Sequence, residues 1–136
     1  MPANTAPIFP LTPNVPVGKT LATANTAKDG TGTVVTLFTA GANGGRVDYV
    51  KVRALGTNVA TVIRLFINNG SPTSTASNNS LFVDMTIAAT TNSETAQLVD
   101  NVITLDLSLP AGYTITATIG TTVAAGLQCT AVGGDY

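Results

Sequence analysis

Alternation of apolar and polar residues runs through most of this 136-residue chain, and it limits the fold more than any other feature. In VATVIRLFIN the side chains of Ile63, Leu65 and Ile67 share one face, and in VITLDLSL those of Ile103 and Leu105 do the same. A period of two residues is typical of a β-strand with one buried and one solvated face, as in antiparallel sheets. We place eight or nine strands at roughly 19–28, 32–40, 46–55, 58–67, 80–88, 94–99, 102–109, 112–119 and 124–132.

Turn residues separate these runs, as at Asp29-Gly30 and Asn69-Gly70. The polar stretch NNGSPTSTASNNS is predicted to be a loop between two strands. Short strands with turns between them indicate a sandwich or a barrel. We therefore predict an all-β fold, an antiparallel β-sandwich of about eight strands that is jelly-roll-like, and we leave the strand order open.

The first 18 residues differ from the rest, because five of the first 16 are proline and large apolar residues lie between them. Proline fixes φ and lacks a backbone N–H, so this stretch suits neither a helix interior nor a central strand. We predict an extended N-terminal arm over residues 1–18 and a β-sandwich domain over 19–136. The arm either docks on a partner or folds over its own sandwich, and we favour docking. Its predicted partner-binding residues are Ile8, Phe9, Leu11, Val15 and Val17.

A second candidate surface is the outer face of the predicted strand 58–67, which carries Val62, Arg64 and Phe66. Apolar groups around one arginine are typical of a protein interface, so we assign these three residues to partner binding. The alternative, which we weigh equally, is that the arm or a loop covers this face. In YTITATI, by contrast, the threonines between the inward residues are predicted to face solvent.

Charge is sparse, at 10% of residues, and a formal net charge of −1 offers little to a nucleic-acid backbone, so we expect no nucleic-acid partner. Tyr49, Lys51 and Arg53 form a short cationic stripe, which a solvated face explains better than a recognition site. No run of about 18 apolar residues occurs, and the first residues lack the pattern of a secretory leader. We expect neither a membrane span nor a leader.

Few residues are suited to catalysis. The chain has no histidine, Glu94 is its one glutamate, and its six aspartates are dispersed among turns and strand faces. Cys129 lies in an alternating strand and is predicted to be a small buried apolar residue. The segment PNVPVGKT matches part of a phosphate-binding loop by chance, because proline replaces the first glycine and a strand is predicted to follow. We expect no enzyme activity, catalytic residue, metal or cofactor.

Three stretches resemble a known group of proteins: RVDYVKVRALGTNVATVIRLFINNG, LFVDMTIAATTNSE and LPAGYTITATIGTTVAAGLQCTAVGGDY. Over roughly residues 45–136 they are similar to the small head-decoration, or cement, proteins of tailed bacteriophages. The shared phrases are a strand ending in INNG, a turn of the form L-P-A-G-[YD] and a terminal G-G-D-Y. The resemblance implies a jelly-roll-like virion protein, made in the host cytoplasm, on the outer surface of the capsid. It also implies contacts with the major capsid protein and with other copies of itself, as a homo-oligomer that stabilises the shell.

A second class of function stays open. Similar sandwiches serve as receptor- or carbohydrate-binding modules of phage tails and fibres. Such a module favours aromatic platforms or clustered Asp and Asn residues, whereas this chain has no tryptophan and 5% aromatic residues. A hydrolase on a β-scaffold is the third and weakest class.

Overall fold

The structure is a computed structural model that describes residues 9–136. These residues form nine β-strands and one 3₁₀ turn, and no α-helix occurs among them, which confirms the all-β prediction. The strands are β1 (Thr12–Asn14), β2 (Lys19–Leu21), β3 (Val35–Thr39), β4 (Gly45–Ala54), β5 (Thr61–Asn68), β6 (Asn79–Ile87), β7 (Asp100–Leu109), β8 (Thr114–Ile119) and β9 (Leu127–Asp135). The 3₁₀ turn is Ala76–Asn78 and comes directly before β6.

The strand order is that of a jelly roll. The first sheet, sheet A, has the order β1-β9-β4-β7, with β2 also pairing with β9, and the second, sheet B, has the order β3-β8-β5-β6. The outermost strands in the sequence pair first: β2 pairs with β9, β3 with β8, β4 with β7 and β5 with β6. This is the pairing of one long hairpin that is rolled up into a jelly roll. All of these pairs are antiparallel, which confirms the predicted antiparallel sandwich of jelly-roll type.

The core lies between the two sheets and takes its side chains from alternate positions of the long strands. Val50 and Val52 of β4 and Ile115 and Ile119 of β8 are buried in it. In β4 the alternation shifts by one residue at a β-bulge between Val47 and Tyr49, so that Val47 also faces inward. Burying an aliphatic side chain of this size stabilises the fold by about 1.5–3 kcal/mol relative to leaving it exposed.

Of the predicted strands, one is absent from the structure and another is shorter than predicted. The predicted strand 94–99 lies in the loop that joins β6 to β7, and the predicted strand 19–28 ends at Leu21. In the first, the N–H of Thr95 donates a hydrogen bond to Ser93 Oγ at 3.1 Å, and this local bond turns the chain. Val99 still packs into the core from the loop, so its apolar side chain indicates packing and not a strand.

Part of the outer face of sheet B is covered, along β8 and at Phe66 of β5, contrary to the expectation that the threonines of β8 face solvent. Thr116 and Thr118 are buried, and Phe66 is buried beside them on β5. Phe66 lies outside the main core cluster, so its cover comes from the outer side of the sheet. The chain between β2 and β3 forms this cover, and we call residues 24–34 the covering loop.

Hydrogen bonds hold the covering loop to both neighbours of β5. The N–H of Asn25 donates to the carbonyl oxygen of Ile119 on β8 at 2.7 Å. Farther along the loop, the carbonyl oxygen of Asp29 accepts a hydrogen bond from Nδ2 of Asn79 on β6 at 3.1 Å. Because β8 and β6 flank β5, a loop held at both strands crosses β5, and we infer that it covers Phe66.

Candidate protein-binding surface

The backbone of the arm is joined to sheet A over the residues that the structure describes. Strand β1 pairs with β9 in the register Thr12 to Asp135 and Asn14 to Gly133. The N–H of Leu11 also donates to the carbonyl oxygen of Asp135 at 2.7 Å, and β2 continues the pairing farther along β9. The backbone of β1 is therefore folded onto the chain's own sandwich, which is one of the two alternatives considered for the arm.

The apolar side chains of the arm are exposed, although its backbone is paired with the sandwich. Phe9, Leu11, Val15 and Val17 are 70%, 83%, 52% and 85% exposed within the described part of the chain. They occupy alternate positions of an extended segment, so they share one side of it. We call these four side chains the apolar ridge. The arm thus combines the two alternatives, because its backbone pairs with its own sheet while its apolar side chains stay available.

The opposite side of the arm contacts the sandwich. Asn14 Nδ2 donates to the carbonyl oxygen of Thr39 at 3.0 Å and to the two carboxylate oxygens of Asp135 at 3.0 and 3.1 Å. The same carboxylate accepts a hydrogen bond from the N–H of Gly41 at 3.0 Å. Asp135 thus ties the arm to the turn that follows β3, and these bonds orient the arm with its apolar ridge outward.

Two adjacent glycines of β9 allow close approaches, Gly134 with the arm and Gly133 with β4. A Cβ at Gly134 would lie 2.5 Å from the Cβ of Pro10 and 3.0 Å from the carbonyl oxygen of Thr12. A Cβ at Gly133 would collide with the carbonyl oxygen of Arg46 on β4. Sequence reasoning missed Gly134 and the adjacent Asp135 as anchors of the arm, although glycine inside a strand signals a close backbone approach.

Prolines stiffen the arm without disturbing the sheet. Pro13 lies within β1, which is at one end of the strand order of sheet A, where a missing N–H is tolerated. Pro10 and Pro16 restrict φ at their own positions and favour an extended conformation in the residues before them. A segment that is already stiff loses little conformational entropy when a partner covers it.

The predicted partner-binding residues form two groups that the structure keeps on different sheets. Ile8 lies outside the described residues, and the apolar ridge belongs to the arm at the edge of sheet A. Val62, Arg64 and Phe66 lie on β5 of sheet B. Phe66 is fully buried beneath the covering loop and offers no surface to a partner. At this position the alternative applies, in which a loop covers the face. Val62 is partly buried, and Arg64 is 9% exposed.

The cationic stripe on the outer face of sheet A is balanced by acids. Lys51 Nζ and Arg53 Nη1 each lie 3.6 Å from a carboxylate oxygen of Asp100 on β7. Nearby, Arg46 Nε donates to Asp48 at 2.9 Å, and this hydrogen bond raises the pKa of the Arg46 guanidinium. Partly exposed ion pairs of this kind are typical of a solvated face and contribute little to stability.

The possible metal ligands and the one cysteine lie within the described part of the chain. Within residues 9–136, no three Cys, Asp or Glu side chains form a group that could hold a metal ion. Cys129 is buried, as predicted, and burial raises the pKa of its thiol to about 12. A thiol that stays protonated is a weak nucleophile. No helix between residues 9 and 136 has the length and apolar character to cross a membrane.

Comparison with known proteins gives little guidance. No protein-family model matches this chain, and no curated protein matches it. Among solved structures, a chain from the crystal structure of the T13 IBDV viral particle is similar, with a TM-score of 0.36 and 13% sequence identity. The alignment covers 98% of this chain and 35% of that chain, so the present chain spans about a third of the length of that neighbour. A functional proposal therefore depends on the geometry described above.

Proposed function

We propose that this chain is a structural virion protein that binds the outer surface of a bacteriophage capsid and stabilises it as a decoration, or cement, protein. Its partners are the major capsid protein and other copies of itself, as a homo-oligomer, and it performs no catalysis. Residues 1–18 act as the docking arm, and residues 19–136 form the sandwich that presents it. The observation that carries the proposal is the apolar ridge, which points outward from an arm whose backbone is paired with the sandwich.

The energetics of the apolar ridge favour contact with a partner. Soluble proteins seldom leave contiguous apolar groups exposed unless those groups bind something. Each ridge side chain that a partner covers contributes up to about 1.5–3 kcal/mol, from which the entropy of association must be subtracted. The prolines and the Asp135 hydrogen bonds already order the arm, so the entropy lost on binding is reduced.

A shell that repeats one binding site many times suits such a surface. A ridge on the arm and a separate surface on the sandwich allow one chain to touch two neighbours, and linked contacts strengthen each other. Only 10% of the residues are charged, so contacts would be made mainly by apolar groups and hydroxyls, as in a durable assembly. The jelly-roll fold serves in viral capsids and in lectins, so it suits this proposal and its alternative alike.

The test is to locate the chain in purified particles of the virus that encodes it. Heads and tails are separated on a gradient, and the chain is quantified in each fraction by mass spectrometry. We expect it in the heads, and we expect an antibody against the sandwich to bind it on intact particles. A chain that is missing from the heads, or hidden from the antibody until the shell is broken, contradicts the proposal.

A receptor- or carbohydrate-binding module of a phage tail is the alternative, and the same fractionation would place it in the tails. Sugar-binding platforms use aromatic rings that lie side by side. Exposed aromatic side chains in the described residues include Phe9 on the arm, Tyr49 on β4 and Phe82 on β6, which belong to three separate elements. This arrangement does not favour the alternative.

A further inference from the structure

Arg64 is the most buried cation among the described residues. It lies on the outer face of β5, in register with Thr118 of β8 on one side and with Asp84 of β6 on the other. The residue is 9% exposed. Burial of a guanidinium is unfavourable unless its N–H groups are paired, so the groups around it decide what it can do.

Two of the three guanidinium nitrogens of Arg64 lack close acceptors within residues 9–136. Neither Nε nor Nη1 has a hydrogen-bond partner in that range. Asp84 Oδ2 lies 3.8 Å from Nε, which is longer than the roughly 2.7–2.9 Å of a charge-assisted hydrogen bond. The hydroxyl of Thr118 is also buried without a partner among these residues. Two neighbouring polar groups are therefore held in place and are uncommitted.

An open groove lies beside this guanidinium. The groove has a volume of about 350 Å³ and is lined, together with Arg64, by Ala60, Thr61, Val62, Thr86, Gly120 and Thr121. Gly120 lies directly beside the guanidinium, since a Cβ there would be in ordinary contact with it, 3.4 Å from Nη1 and 3.7 Å from Nη2. Nε and Nη1 are closed off from solvent, so a ligand in the groove can reach the guanidinium through Nη2 only, and Val62 gives the groove an apolar wall.

We propose that this groove binds a carboxylate. The Nη2 group of the guanidinium carries charged N–H donors, and a carboxylate oxygen accepts from such donors in a strong, charge-assisted hydrogen bond. Arg64 is the one cation among the lining residues, and the negative charge of Asp84 is close, so a singly charged acid fits better than a phosphate dianion. The volume is at the lower end for small-molecule sites, and the wall formed by Val62 suits an acid with a short apolar stem.

Two sources can supply such a group. One is an acidic side chain of a protein partner, and the other is a small free acid such as a sugar acid. The assignment depends only on the surroundings of Arg64 and is independent of the virion function proposed above. Either proposal can fail while the other stands.

The test is an NMR titration of the isotope-labelled full chain, in which the Nε–Hε signals of Arg46, Arg53 and Arg64 are followed separately. Sodium acetate is the first probe, and sodium chloride at matched ionic strength is the control. We expect a saturable shift of the Arg64 signal with acetate and not with chloride. An Arg64 signal that does not move, or that moves equally with both salts, overturns the proposal.

Four variants make the titration specific. Arg64→Met removes the guanidinium, and Gly120→Val fills the groove while keeping the arginine, so each should abolish the saturable binding of acetate. If Arg64→Met does not fold, Gly120→Val carries the test alone. Asp84→Asn removes a competing acid and should tighten acetate binding by about threefold, the size expected for a partly exposed ion pair. Arg53→Ala changes an exposed arginine of the other sheet and should leave binding unchanged.

Acetate binding by Gly120→Val that equals binding by the unaltered chain contradicts the proposal, as does an Asp84→Asn variant that binds no more tightly. Two further probes then distinguish the sources. Tighter binding of an acetylated and amidated glutamate supports a protein side chain, whereas tighter binding of galacturonate supports a saccharide. If neither shifts the Arg64 signal, the assignment to a carboxylate is wrong.

Discussion

The arm and the outer face of β5 look alike in the sequence and differ in the folded chain. Both place large apolar side chains at alternate positions on the side away from the core, as at Leu11 and Val17 in the arm and at Phe66 on β5. In the structure the apolar ridge is exposed, whereas Phe66 is fully buried beneath the covering loop. The difference comes from a second segment of chain that crosses one face and not the other.

This comparison shows that exposure of an apolar row depends on long-range packing and not on the row itself. The covering loop adds Phe66, Thr116 and Thr118 to the buried part of the molecule. The arm instead uses its backbone and its polar side chains to bind the sandwich, so that its apolar side chains remain outside. Changes that disturb either arrangement should have effects of different kinds and sizes.

The largest contrast is expected between Phe66→Ala and Phe9→Ala. Phe66→Ala removes a fully buried ring and should lower the free energy of unfolding by about 3–5 kcal/mol. Phe9→Ala changes a ring that is mostly exposed and should alter it by less than about 0.5 kcal/mol. Urea denaturation of the two full-length variants measures both values. Equal losses would contradict the distinction between a covered and an uncovered row.

A glycine substitution should detach the arm while leaving the rest of the sandwich folded. Gly134→Ala places a Cβ against Pro10 and Thr12, and we expect it to weaken the pairing of β1 with β9 by about 1–3 kcal/mol. Hydrogen exchange at the Leu11 amide, which donates to Asp135, should accelerate accordingly. The control is Gly120→Ala, where φ is not in the left-handed region and the added Cβ would be in ordinary contact, 3.4 Å from Arg64 Nη1. Unchanged exchange at Leu11 in Gly134→Ala would show that the arm does not depend on this close approach.

Opening the covering loop should expose the covered part of the outer face of sheet B. Asn25 Nδ2 donates to the carbonyl oxygens of Thr31 and Thr33 at 2.8 Å each, which closes the loop on itself. Asn25→Ala should therefore cost about 1–2 kcal/mol and accelerate hydrogen exchange in residues 24–34. Asn43→Ala, which loses a single long bond of 3.4 Å, is the control and should have a negligible effect. Hydrogen exchange that becomes faster in sheet A and not in the covering loop would contradict this prediction.

The smallest effect is expected from acid, through Asp29 in the same loop. The side-chain and backbone hydrogen bonds from Thr31 lower the pKa of Asp29 below its ordinary value of 3.8. A carboxylate whose pKa is lowered in the folded state stabilises the fold at pH values above its ordinary pKa. This contribution is lost as the pH falls through the lowered pKa. We expect the Thr31 amide signal to shift in that acid range, and Asp29→Asn should remove the shift. An identical acid shift in Asp29→Asn would assign the titration to another group.

Local pattern in the sequence predicts much of the sandwich. The predicted strand 102–109 corresponds to β7, Asp100–Leu109, because alternation reports directly which side chains face the core. Strand order is not predictable in this way, since β2 and β9 lie far apart in the sequence and meet only in the folded chain. The covering loop was missed for the same reason, because its hydrogen bonds to β8 and β6 join distant segments.

The exposed residues of the candidate surface could be predicted from the sequence, but the contacts that hold the arm in place could not. Prolines and alternating apolar residues marked Phe9, Leu11, Val15 and Val17, and the structure describes all four as exposed. The anchors at Gly134 and Asp135 lie at the other end of the chain, so no local pattern connects them with the arm. Likewise, the groove at Arg64 depends on Gly120, which comes beside it only through the pairing of β5 with β8.

The central claim is that the apolar ridge binds the shell, and rebinding to heads made without this chain tests it most directly. The ridge variant carries Phe9→Ser, Leu11→Ser, Val15→Thr and Val17→Thr. The control variant carries Leu55→Ser, Val59→Thr and Val102→Thr, which are also exposed apolar residues but lie on the sandwich.

The amount of each variant that sediments with the heads is the measured quantity. We predict that the control variant binds as the unaltered chain does. The ridge variant should keep its fold and lose binding by about tenfold or more, since several apolar contacts disappear together. A ridge variant that binds as tightly as the control variant would contradict the account.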